Sequence, residues 1–345
     1  MAASGNIPEE KSAFSENGEC SGALRFSLTL VPTQETVLDF ICPVLPGRRA
    51  VGHQWDGKSQ WAQFDEAVPN PEKGGALQPD AGIAYYRNMK AEALFNDAMD
   101  YWKDVVGRVK LKLPDPRWAE CFAATVGHVA MAMNEGAPDV TVINYNVYNR
   151  DGIYVASMLH KAGQNALASQ CVSYFVSHPF NGRVQPEADN PGQILWIIGQ
   201  HWLFSKDEAW LPMAYPAVQQ LVKMITYYRT TPGPHYVNSK NMLFGDSLPK
   251  EQRQELKPGA CDGFHPEYTE AFDIAGLRAA ILMADARLQT ADAEAWRTLE
   301  KQLFEKYDQR FGVNLKKEYG SYSVLWPCRL YPYTEGKAFE QFKHI

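Results

Sequence analysis

Apolar and polar positions follow two different rhythms along this chain, and the change comes near residue 84. Residues 23 to 45, ALRFSLTLVPTQETVLDFICPVL, alternate apolar with polar and are rich in β-branched and aromatic residues. That pattern predicts two or three strands. So few strands cannot bury both faces of a sheet, so they imply a larger β element than the chain supplies. Residues 1 to 22 are polar and read as loose, and residues 53 to 82, rich in Gly, Pro and Asp, read as a connector.

From residue 84 the period becomes that of a helix. GIAYYRNMKAEALFNDAMDYWKDVVGR predicts one long helix with Gly107 as its stop, and PDPRWAECFAATVGHVAMAMN a second with Pro116 in its first turn. Three pairs follow: 151–162 with 165–178, divided at Gly163; 191–205 with 212–229, divided by SKDEAWLP; and 268–288 with 291–311.

The character of these helices alternates. In 212–229 the apolar stripe is Val218, Leu221, Val222 and Ile225, with Gln219, Gln220 and Lys223 off it. In 291–311 it is Trp296, Leu299, Leu303 and Tyr307, with Glu294, Arg297 and Glu300 elsewhere. One-faced helices of this kind lie at a surface, whereas GQILWIIGQHWLF and AFDIAGLRAAILMA are apolar nearly all round and predict burial on every side. A buried helix followed by a surface helix, three times over, predicts two concentric layers.

In that arrangement the loops at one end of the inner helices converge, which is a natural place for a pocket. The segments ahead of the inner helices are NYNVYNRD, NGRVQPEADNPG and the 38-residue stretch 230–267, too long for an ordinary connection. They carry Asp151, then Glu187 and Asp189, then Asp246, Asp262 and Glu267, whereas the loops at the opposite end are short and bland. Tyr145, Asn149, Arg150 and Asp151 fit a polar pocket. Asn149 equally fits a helix N-cap, with Asp151 favouring the helix dipole and Arg150 opposing it, and Arg150 fits a salt bridge to a nearby acid that only braces the loop as well as a sugar-binding group. Glu187 and Asp189 fit a solvated loop and cap as well as a site. Trp196 and Trp202 sit in apolar runs and read as core, His128 and His201 read as core or helix-face histidines, and Trp326, in SYSVLWPCRLYPY, is placed to stack on a ligand.

Composition narrows the class. The chain has 345 residues, 45% hydrophobic and 21% charged, which allows a large core. A net charge of −6 without any basic run argues against nucleic acid. No apolar stretch is long enough to span a membrane, and the N-terminus has no secretory pattern. Six dispersed cysteines form no Cys-x-x-Cys pair and read as free thiols in a reducing, cytoplasmic compartment. No metal-ligand spacing and no phosphate-binding loop occurs, so neither metal nor cofactor is expected.

YNVYNRDGIYVASMLHKAG, then NGRVQPEADNPGQILWIIGQHWLFSKDEAWL, then a long loop before AFDIAGLRAAILMADARL, resembles the six-hairpin glycosidases of the glucoamylase-type and glycogen-debranching-like branch. The resemblance runs from about Trp102 to Tyr333 and rests on the aromatic-Arg-Asp opening and the D-x-x-G-x-x-L-W pattern at 189 to 196. It implies a mainly α fold, an (α/α) six-hairpin toroid, with the strands ahead of it as part of an N-terminal β-sandwich. It implies a carbohydrate partner and glycoside hydrolysis by two carboxyl groups, one protonating the leaving oxygen and one activating water. Arg150 and Asp151 match the pair that grips the terminal sugar. The general acid falls to Asp262 or Glu267, between which the sequence does not choose. A full toroid of this family has twelve helices, whereas about seven follow residue 115 here and an eighth starts in EGKAFEQFKHI. The expectation is a truncated toroid without the usual general base. Two rival readings stand beside hydrolysis. One is a non-catalytic carbohydrate-binding or structural remnant. The other is a polysaccharide lyase, which would want a Tyr with a His or Arg.

Overall fold

The computed structural model describes residues 12, 14, 16–17, 26–40, 48–55, 61–68, 89–134, 136–140, 147–181, 189–230, 266–316 and 321–343. The chain divides into two compact units, Met1–Cys42 and Pro43–Ile345. In the first, residues 26–40 form no strand, contrary to the reading of 23–45. Pro32 has no N–H to give to a ladder. Thr33 at φ 71 turns the chain, and the Gln34 N–H donates to the Val31 carbonyl at 3.0 Å. The alternating side chains Phe26, Leu28, Leu30, Val37 and Phe40 are exposed.

In the second unit, one strand runs into the stretch 53–82 read as a connector and another lies inside it. β1 (Arg48–Trp55) pairs antiparallel with β2 (Trp61–Val68), with Arg48 opposite Val68 and Trp55 opposite Trp61. The intervening sequence DGKSQ contains the Asp-Gly pair favoured in hairpins. A second, short hairpin joins β3 (Met133–Asn134) to β4 (Ala137–Pro138) through Gly136 at φ 84.

The rest of this unit is mainly α. The helices are α1 (Ala91–Gly107), α2 (Pro116–Met131), α3 (Asn149–Lys161), α4 (Asn165–Ser177), α5 (Asn190–Ser205), α6 (Trp210–Thr230), α7 (Pro266–Ala286), α8 (Thr290–Phe311) and α9 (Gly336–Phe342). α1 starts later than residue 84, because Lys90 is extended and caps it. The Asp115 carboxylate caps α2 by accepting from the Arg117 N–H at 3.0 Å, with Pro116 inside the first turn. Asp207 does the same for α6, accepting from the Ala209 and Trp210 N–H groups at 2.9 and 3.0 Å. α5 stops at Lys206, which is left-handed at φ 50.

α3, α5 and α7 lie side by side as an inner layer, and α4, α6 and α8 pack against them. α5 is buried from Asn190 to Gly199 without a break, and α7 from Glu267 to Leu277. The outer helices bury one stripe each: Val218, Leu221, Val222 and Ile225 on α6, and Trp296, Leu299, Leu303 and Tyr307 on α8. α5 and α7 approach so closely that side chains are excluded between them. A Cβ on Gly192 would fall on the Phe272 backbone, and one on Gly276 would lie 2.7 Å from the Gly192 carbonyl oxygen. Among the described residues no helix is long and apolar enough to cross a membrane.

Candidate functional site

The N-terminal ends of the three inner helices meet. Asn149 opens α3, but it is not the cap; extended Tyr148 holds that position and makes no side-chain capping bond. The Asn149 side chain turns inward instead. Its carbonyl oxygen accepts from the Asn181 N–H at 3.1 Å and the Asn181 amide at 2.8 Å, and its own amide donates to the Pro179 carbonyl. The Tyr174 hydroxyl donates to the Asn181 carbonyl oxygen at 2.7 Å. These bonds lock the first turn of α3 and so aim the next residue.

That residue, Arg150, is about a quarter exposed, and its Nε lies 3.4 Å from Oδ2 of Asp189 at the start of α5. Asp189 is fully buried, so the solvated-loop reading of this residue is wrong: the carboxylate is held inside by a cation and an amide. The Gln193 amide, one turn along α5, donates to the same Oδ2 at 2.7 Å and to the Tyr268 hydroxyl of α7 at 3.3 Å. The Tyr268 hydroxyl is also bonded to that of Tyr154, one turn beyond Arg150 on α3. The Tyr154 ring lies against Trp326 at 5.6 Å, tilted by 32°, and Lys161 Nζ sits 4.7 Å from the same indole. Trp326 is 42% exposed. Arg150, Tyr154 and Trp326 therefore form the open margin of the cluster, and Asp189, Gln193 and Tyr268 its buried floor.

Burial pushes the Tyr154 phenol up to about 12 and the Tyr268 phenol further, with the nearby Arg150 charge pulling both down more weakly. Both are protonated at neutral pH and serve as neutral hydrogen-bonding groups on flat rings. Glu267, in the first turn of α7, is buried next to Tyr268, and its carbonyl accepts from the Tyr307 hydroxyl at 2.9 Å. Asp151 is exposed and lies outside the cluster, because successive helix residues do not share a face. Tyr145, Glu187 and Asp262 lie outside the described residues.

Deeper along α7, Asp273 accepts from Arg229 Nε at 2.8 Å and Nη2 at 2.5 Å. Glu270 lies 3.7 Å from Arg229 and 3.6 Å from Arg310, so the acids of α7 are held between the outer helices α6 and α8. Burial raises the Asp273 carboxyl to about 6 against the pull of Arg229, and the charge of Asp189 adds to the rise. Tyr154, Gln193, Tyr268, Glu270, Asp273 and Arg229 were not singled out in the sequence. A signal existed: Arg150 with Tyr154 and Asp189 with Gln193 are spaced by four, and Glu267, Glu270 and Asp273 by three, each pattern placing side chains on one helix face. Among the described residues no three His, Cys, Asp or Glu side chains are grouped to hold a metal ion.

No family model, curated protein or solved structure matches this chain. The cluster offers a guanidinium, a carboxylate, an amide, two phenols and an exposed indole. Sugar hydroxyls both donate and accept, so mixed groups of this kind satisfy them, and the aromatic faces suit the apolar side of a pyranose ring.

Proposed function

We propose that this chain is a carbohydrate-active protein of the glycoside hydrolase type, with an (α/α) toroid of the six-hairpin kind as its frame. The observation that carries the reading is the Arg150–Asp189 pair, which joins the N-terminal ends of α3 and α5 beside Gln193, Tyr268, Tyr154 and Trp326. The three inner and three outer helices support the toroid, and the β1–β2 hairpin fits a β element ahead of it. Arg150, Tyr154 and Trp326 hold the sugar at the margin, while Asn149 and Asp189 set the position of Arg150. Glu267 is the described candidate for the general acid, and Asp262 remains the other. The described cysteines, Cys121, Cys171 and Cys328, are free thiols, which suits the cytoplasm.

A binding protein without catalysis is the second reading. It is favoured by the engagement of Asp189, whose Oδ2 already serves Arg150 and Gln193, so that a second carboxylate for activating water is not assigned. The lyase reading has Tyr154 near Arg150, as it would want. It needs a phenolate base, however, and burial moves Tyr154 up to about 12, away from that role.

Hydrolysis of a panel of aryl glycosides and binding of the corresponding free sugars separate these readings. Arg150→Ala is expected to weaken sugar binding by about 1–3 kcal/mol, the range for a lost charged hydrogen bond. Glu267→Gln is expected to abolish hydrolysis while leaving binding within about twofold. Hydrolysis that survives Glu267→Gln transfers the acid role to Asp262. Binding without hydrolysis in the unaltered chain selects the second reading, and undiminished sugar binding by Arg150→Ala ends the assignment of this cluster.

A further inference from the structure

We infer a second binding site, for a neutral polyhydroxylated ligand, on the outer face of α4. The helix sequence NALASQCVSYFVS has no Lys, Arg, Asp or Glu, although α4 belongs to the outer layer. Its fellow outer helices carry such residues on their open sides, Lys223 on α6 and Glu294 and Arg297 on α8. α4 buries one stripe, Ala168, Cys171, Val172 and Phe175, against the core. Another stripe, Leu167, Gln170, Ser173 and Ser177, lines a cavity of about 650 Å³. That volume lies within the range of small-molecule sites, about 300–1,000 Å³.

The other walls come from different elements. Tyr101 is contributed by α1, and Met133 and Gly136 by the β3–β4 hairpin. Gly136, at φ 84, holds that hairpin close to α4: a Cβ there would stand 3.3 Å from the Gln170 carbonyl oxygen. At the end of α4 the His178 ring stacks on Tyr174 at 4.5 Å and 10°, giving the cavity a flat aromatic wall. Tyr101, 49% exposed, adds a second ring.

The chemistry of the lining selects the ligand. The Gln170 amide and the Ser173 hydroxyl are exposed and make no side-chain hydrogen bond among the described residues. Together they present both donors and acceptors, which is what hydroxyl groups need. Among the described residues no Lys, Arg, Asp or Glu lines the cavity, so they offer an ionic ligand no counter-charge there. Rings beside neutral polar groups fit a sugar or a similar cyclic polyol. The site shares none of Arg150, Asp189, Tyr154 or Trp326 with the cluster described above.

Saturation-transfer NMR on the full chain tests it, with maltose, cellobiose and lactose as probes and gluconate and glucosamine as charged comparators. Gln170→Leu and Ser173→Leu alter exposed, unbonded side chains, and an unchanged thermal midpoint verifies that each variant is folded. At least one neutral disaccharide is expected to bind. Either substitution is expected to weaken that binding about tenfold, in line with a lost hydrogen bond, while Arg150→Ala leaves it in place. Binding that persists in both leucine variants but falls in Arg150→Ala overturns this site and leaves the proposed function standing. Binding of the disaccharide lost in the leucine variants alone supports this site and leaves the inner-helix cluster to its own test with aryl glycosides and the corresponding free sugars. No binding by any disaccharide, or tighter binding of gluconate or glucosamine, overturns it.

Discussion

His160 of α3 and His201 of α5 face each other away from the candidate site, with His201 Nδ1 3.1 Å from His160 Nε2. Both are buried. The Phe204 ring stacks on His160 at 5.0 Å, and Trp210 meets His201 at 4.3 Å. Burial lowers the proton affinity of both imidazoles, against a hydrogen bond from the Asn165 side chain at His160; at His201 the charge of His160 adds to the fall, and Asp207 pulls the opposite way without preventing a drop to about 4. The folded-state value lies below the unfolded one, so the unfolded chain takes the proton first as pH falls. Stability is therefore complete above about pH 6.5 and declines toward pH 4, below which the loss from this group levels off. The size of the effect is on the order of 2–3 kcal/mol. Urea denaturation of the unaltered chain and of His201→Gln across this range should show the stability gap narrowing, or reversing, as pH drops. A constant gap would mean that His201 is not held neutral. The sequence left His128 and His201 as core or helix-face residues; the structure buries His201, whose helix is apolar on every side, and leaves His128 exposed. Nothing in the sequence marked His160 as partner, since residues 41 positions apart meet only through packing.

At the scale of elements, the closest contact is between α5 and α7, and it depends on missing side chains. Gly192→Ala would put a methyl group onto the Phe272 backbone, and Gly276→Ala one against the Gly192 carbonyl and Leu195. Neither obstacle is a flexible side chain, so the helices must separate. Each substitution is expected to destabilise by about 1–3 kcal/mol. Gly107→Ala, at the end of α1 with open space around the new methyl group, is expected to stabilise by about 0.4–1 kcal/mol. Denaturant midpoints for the three variants check this, and a Gly192→Ala protein as stable as the parent would show that the inner pair is not in such close contact. The helices themselves were legible because a period of 3.6 is sustained over many turns, and the breaks at Gly163 and at Asp207 carry their own local chemistry. The strands were misplaced for the converse reason. Alternation over a few residues, as in residues 26–40, marks a strand only if a partner exists to accept its hydrogen bonds, and Pro32 with left-handed Thr33 breaks that run. The candidate site was legible as an end of the molecule and as the residue Arg150. It was not legible as a bonded set, because Asp189, Gln193 and Tyr268 come together only once three helices are packed.

For the second unit taken as a whole, the distribution of burial predicts the order in which it opens. The main core runs through α3 to α8, with α5 buried along most of its length. A smaller, separate cluster consists of Val105, Val126, Ala130 and Ala162, with Trp102, Phe122, Met158 and Leu167 packed around it. α1 contributes Val105 as its buried residue and exposes Phe95, Met99 and Tyr101. Its link to α3–α4 includes the Gln164 amide, which donates to the Val105 carbonyl at 2.6 Å. Local opening free energies follow the apolar surface that must be exposed. α1 and α2 should therefore detach as a unit well below the free energy of global unfolding, whereas α5 should exchange only when the core opens. Native-state hydrogen exchange by mass spectrometry, run at increasing sub-denaturing urea, resolves the two. Peptides from residues 91–107 and 116–131 are expected to exchange together, at lower protection and with a shallower urea dependence than peptides from 190–205. Gln164→Leu removes the link without disturbing the main core, so it should lower protection in α1 and leave α5 unchanged. Equal protection in α1 and α5, or a loss in both on Gln164→Leu, would show one cooperative core in place of a main core with a detachable pair.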